Sequence, residues 1–221
     1  MAQEWLEYLK QSGWLDILKV VGPSSVISAT ISIGWNAWRD AGQRKADRKD
    51  TALSAALSME SYARICRAMM HRADWASNEA ARTHSYQPIN GVKLPDFSFP
   101  EKIEWKWLKH KVTSELREFP ATLHSTREYL SSVWEYGDPI ELCDEVEFEC
   151  AKAAKQALEL ARMTRSKHGV VPWKPGAKDS DLERELSDYI TRSEEKRRTL
   201  RERHKQFAAD IKAETALIDQ K

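Results

Sequence analysis

From Ala41 to about Ser85 the chain carries no Pro and, after Gly42, no Gly, while small apolar side chains recur in alternating three- and four-residue steps: Ala52, Ala56, Met59, Ala63, Cys66, Met70, Ala73, Ser77 and Ala80. That spacing keeps one stripe on one side of an α-helix. A second seam follows Pro139, through Cys143, Val146, Cys150, Ala153, Ala157, Leu160 and Thr164. Alanine-rich seams let helix axes approach closely, so the two helices are expected to pack against each other or against equivalent partners, with the cysteines as small core residues. The core of this seam is Ala56, Met59, Ala63, Cys66 and Met70 facing Cys143, Val146, Cys150, Ala153 and Ala157.

Between the seams the prolines at 88, 95, 100 and 120 forbid one continuous helix. The pattern predicts a Pro-rich crossover from Tyr86 to Pro100 packed by Leu94, Phe97 and Phe99, a helix from Glu101 to Phe119, and another from Pro120 to Tyr136. Gly137, Asp138 and Pro139 make the next turn, and Gly169 stops the second seam helix. Asp179, Ser180 or Asp181 can cap a last helix that meets no Gly or Pro, with apolar positions at Leu182, Leu186, Tyr189, Leu200, Phe207, Ile211 and Ile218. Their repeat is nearer eleven than seven, which predicts a nearly straight helix whose far end leaves the bundle.

The amino-terminal part differs in kind. Val20 to Trp38 is 19 residues without a charge, and about 20 helical residues cross a hydrocarbon core of about 30 Å. Trp14, Trp35 and Trp38 bracket the run as an aromatic belt would, and Trp5, Leu6, Leu9 and Trp14 suit an interfacial helix before it. Lys10 and Lys19 precede the run, whereas Arg39, Arg44, Lys45, Arg48 and Lys49 follow it, so the positive-inside bias puts the carboxy-terminal part in the cytoplasm. Ser24, Ser25, Ser28, Thr30, Ser32, Asn36 and Pro23 make it a marginal anchor. The competing reading is a buried helix of a soluble cytoplasmic bundle, with Lys19 and Arg39 snorkelling at its ends. Ser24, Ser28, Ser32 and Asn36 recur every four residues, a small and polar face that in lipid serves helix–helix assembly and points to a homo-oligomer.

Charge adds little at the level of the whole chain, since 35 Lys and Arg face 34 Asp and Glu. An electrostatic partner must therefore rest on a local patch. The strongest lies in the last helix: Lys196, Arg197, Arg198, Arg201, Arg203 and Lys205, interleaved with Glu194, Glu195 and Glu202. It could meet phosphates, but such interleaving is also what a solvated helix with i,i+4 pairs shows, which disfavours a nucleic-acid partner. The acidic run Asp144, Glu145, Glu147 and Glu149 reads likewise as a solvated face.

Catalytic and metal-binding patterns are missing. There is no phosphate-binding glycine loop, no H-E-x-x-H, and no glutamate three residues before any of the six histidines. His71 and Asp74 stand one turn apart as an acid–base pair without a pocket to work in. Three cysteines without paired spacing indicate a reducing compartment around the body. Trp105, Trp107, Trp134 and Trp173 adjoin the Pro-rich segments and are expected mostly to plug the bundle end.

The chain therefore reads as all-α: residues 1–40 an interfacial helix and single-pass anchor, 41–178 an up-down bundle of about four helices, and 179–221 a long helix packed at least in its first half. The function expected is that of a membrane-anchored, non-enzymatic protein working through protein–protein interaction or self-association, without cofactor or small-molecule substrate. The alternative is a soluble module binding nucleic acid or anionic lipid through the basic last helix.

Overall fold

The computed structural model describes the backbone of residues 14–218 and the side chains of residues 35–209 and 211. Among these residues the fold is all-helical, with four α-helices and no strand: α1 Trp14–Thr83, α2 His110–Tyr136, α3 Pro139–His168 and α4 Leu182–Ile218. Short 3₁₀ turns, Gln87–Ile89 and Trp105–Trp107, interrupt the connection from α1 to α2. The chain divides into two compact units, residues 1–48 and 49–221.

In the larger unit every member of the second seam is buried, as is every member of the first except the half-buried Ser77. The two seams meet at Cys66 of α1 and Cys150 of α3, whose thiols share a hydrogen bond that, with burial, holds the Cys150 thiol protonated far above its ordinary range. α3 lies at the centre, with α2 on one flank and α4 on the other. Its ends follow from local chemistry. The Asp138 carboxylate accepts from the Ile140 N–H at 2.9 Å with Pro139 in the first turn, and Gly169, at φ 63°, closes the other end while the Val170 N–H donates to the Arg165 carbonyl at 2.9 Å. Gly137, between α2 and α3, is also required: a Cβ there would stand 2.7 Å from the Val133 carbonyl oxygen.

The expected break at Pro120 does not occur; α2 runs through it. Proline lacks the N–H that would bond the Leu116 carbonyl, at a cost of about 3 kcal/mol. However, Val112, Leu116, Phe119, Leu123 and Leu130 all bury on one face of the continuous helix. Each such side chain gains roughly 1.5–3 kcal/mol from burial, so the aligned face outweighs the missing bond. The expected helix over 101–109 is replaced by the turn at Trp105–Trp107, because Ile103 and Leu108 bury and Trp105 meets Phe99 edge-to-face at 5.0 Å. The crossover does pack through Leu94, Phe97 and Phe99: Phe97 touches Tyr62 at 5.0 Å and Phe119 at 5.3 Å between ring centres. The Pro95 carbonyl accepts from both the Tyr62 hydroxyl, at 3.1 Å, and Arg127, at 2.8 Å.

The amino-terminal expectation needs correcting. Residues 20–38 do not form a separate element but belong to α1, which continues past Gly42 to Thr83. No helix among the described residues is long and apolar enough to cross a membrane. The side chains of residues 20–34 lie outside the described residues, and with them Ser24, Ser28 and Ser32 of the expected assembly face; Asn36 is exposed. The spanning helix thus gains no support, and the interspersed serines, Thr30, Asn36 and Pro23 are the chemical reason the run is weak.

Candidate functional site

The two charge features that stood apart in the sequence are brought together. α4 packs along α3 so that the basic track of one faces the acidic run of the other, across a groove of about 1290 Å³ that also holds Phe148, Tyr189 and His204. Arg197 donates to Glu145 at 2.7 Å and lays its guanidinium 4.1 Å from the Phe148 ring centre. The second oxygen of Glu145 accepts from the Tyr129 hydroxyl at 3.1 Å, so one buried carboxylate ties α2, α3 and α4. Lys196 pairs with Asp144 at 3.6 Å, and Lys152 holds Glu149 at 3.0 Å. Arg201 donates to the Arg197 carbonyl at 3.3 Å and, like Arg198, Arg203 and Lys205, is exposed. The acidic run is therefore no idle solvated face, and of the six basic residues Arg197 alone is partly buried.

Glu147 in this groove is half-buried, and burial lifts its carboxyl above the usual carboxylate range. Asp74 and Asp144 raise it further, while a hydrogen bond from Tyr189 and the charge of Lys196 act in the opposite sense. Desolvation also pushes the Tyr189 and Tyr129 phenols up.

A second constellation escaped the sequence reading. Glu60 and Arg165 form a bidentate ion pair at 2.7 and 3.0 Å, although the two side chains are only 1% and 8% exposed. Arg165 also donates to the Val171 carbonyl at 2.8 Å. The pair floors a cleft of about 480 Å³ under the 169–181 loop, lined further by Arg162, Trp173 and Glu183. The partner of Arg162 is Glu183, and Arg64 stacks 5.4 Å from the Trp173 ring centre. Nearby, His168 takes the neutral form that its neighbours require: Nε2 accepts the Lys109 N–H at 3.0 Å, and Nδ1–H donates to the Thr164 carbonyl at 2.9 Å. The signal that could have found them is position, since Glu60 follows Met59 and Arg165 follows Thr164, each one residue off a seam.

The His71–Asp74 pairing does not form. His71 meets Glu185 of α4 at 3.3 Å, beside an Arg67–Glu185 bridge at 2.7 Å, and Asp74 accepts from Asn78. Of the tryptophans, Trp105 and Trp173 pack on the core, Trp107 donates to Glu104 at 2.9 Å, and Trp134 stays exposed beside a smaller cleft of about 330 Å³ lined by Leu94, Leu130 and Leu142. Burial lifts the Cys143 thiol to about 11, so neither it nor Cys150 is a ready nucleophile. Among the described residues no group of three or more His, Cys, Asp or Glu is placed to hold a metal ion.

Outside the bundle one aromatic feature stands apart. Trp35 and Trp38 are 61% and 69% exposed, and their rings meet at 5.3 Å in a tilted pair. Compared with protein-family models, curated proteins and solved structures, the chain matches none of them.

Proposed function

We propose that the protein is a non-enzymatic, membrane-attached helical protein whose bundle, on the cytoplasmic side, acts through contacts with another protein or with a second copy of itself. The observation that carries this reading is the exposed Trp35–Trp38 pair at the end of the charge-free run, immediately before Arg39. Tryptophan is on average well buried, and an apolar ring with a polar N–H suits the boundary between hydrocarbon and headgroups. The bundle's own chemistry supports a structural role, because the charged residues at its two larger clefts are paired across helices, Glu60 with Arg165 and Glu145 with Arg197.

The test is fractionation of cells carrying the full chain with an accessibility tag at its carboxy terminus. The chain is expected in the membrane pellet, resistant to salt and alkaline carbonate, released by detergent, with the tag reachable only from the cytoplasmic face. Recovery in the soluble fraction overturns the reading.

A further inference from the structure

We infer that one side of α1 just after the tryptophan pair binds the headgroup layer of a membrane rich in anionic phospholipid, an inference that rests on the membrane attachment proposed above. At ~100° per residue, Trp35, Trp38, Arg39, Lys45, Arg48 and Lys49 fall on one half of the helical cylinder, with only Ala41, Gly42 and Ala46 between them. The acids Asp40, Asp47 and Asp50 fall on the other half, with Asp50 next to its edge beside Arg39, and Gln43 donates to Asp47 at 2.8 Å. Arg44 lies on that acidic side. The described side chains of this stretch are exposed except for the half-buried Asp47, so the sorting of charge is not explained by packing within this segment.

Charge complementarity chooses the occupant. A helix leaving a bilayer tilts by about 20° on average, which lowers one side over the headgroups and lifts the other away. The acid-free side gains from an anionic surface; the side with Asp40 and Asp47 would lose. Distance then ranks the cations. At about 1.5 Å per residue Arg39 sits beside Trp38, Lys45 about 10 Å beyond it and Arg48 about 15 Å, against a screening length of about 8 Å. Arg39 and Lys45 carry most of the attraction. Nucleic acid would satisfy the cations equally, but it gives no reason for tryptophans at the end of a charge-free run.

The full chain is tested by flotation with vesicles of phosphatidylcholine alone and with added phosphatidylserine, limiting lipid so that partition is incomplete. Anionic lipid is expected to raise partition by about tenfold or more in a salt-sensitive manner. The double variant R39E/K45E should lose that rise and keep the partition into neutral vesicles, with unchanged circular dichroism because both residues are exposed. Equal wild-type partition into the two vesicle types overturns the inference and leaves membrane attachment standing. Absence from both vesicle fractions removes the attachment and the inference with it. Retention of the anionic preference by the double variant, or an oligonucleotide shift abolished by the same two substitutions without any vesicle preference, also overturns it.

Discussion

Arg197 of α4 meets Glu145 of α3 at 2.7 Å with its guanidinium 4.1 Å from the Phe148 ring centre, and that one contact turns the centre of the sequence's basic patch into a clasp between helices. Arg197→Ala is expected to destabilise the protein by about 1–2 kcal/mol, less than a fully buried charged hydrogen bond because the arginine is partly open to solvent. Hydrogen exchange should quicken from about residue 190 onwards in α4 and stay unchanged in α2. Arg203→Ala, on an exposed position of the same helix, should alter stability by no more than about 0.5 kcal/mol. Equal effects of the two substitutions would show that the clasp does not hold α4 down.

Glu147 gives the groove a pH dependence of known sign. Its folded pKa is raised, so the folded protein holds the proton more tightly than the unfolded chain does. The stability this contributes is complete below the unfolded value, about 4.3, and is lost as pH rises through the raised folded value. Glu147→Gln stays neutral and can still accept from Tyr189. The variant should melt higher than the wild type at neutral pH, with the gap closing towards pH 4. A pH-independent difference in melting temperature would rule out titration of Glu147 as its cause.

The Glu60–Arg165 pair should behave as buried ion pairs do, strongly coupled and weakly stabilising in sum. Glu60→Gln or Arg165→Met alone leaves a charge without its partner in the core and is expected to cost about 3–5 kcal/mol in denaturant unfolding. The double variant E60L/R165M should recover most of that loss. Additive single effects would mean that the two residues do not act as a pair.

Much of the helical layout was legible because it depends on short-range chemistry. The three–four spacing of small residues marks the buried face of α3 and of the part of α1 within the bundle, and Pro139 and Gly169 punctuate α3 where a first-turn proline and a left-handed stop are wanted. Pro120 was misleading for the same reason that Pro139 was informative: local preference argues for a helix start at either place. Only the alignment of Leu116, Phe119 and Leu123 against the core decides that α2 continues.

The candidate surfaces divided along the same line. That Trp35 and Trp38 end a charge-free run can be read along the chain, whereas their exposure is seen only in the structure. Whether Lys196 and Arg197 are available to phosphates cannot be so read, since their partners Asp144 and Glu145 lie about fifty residues earlier. Glu60 and Arg165, 105 residues apart, are further still. What the sequence by itself determined is where α3 starts and stops and which faces of α3 and of the bundled part of α1 bury, through periodicity, capping and turn chemistry. Only the tertiary structure decided which charges neutralise one another, because an ion pair forms by proximity in space, and proximity across helices is set by how the alanine seams dock.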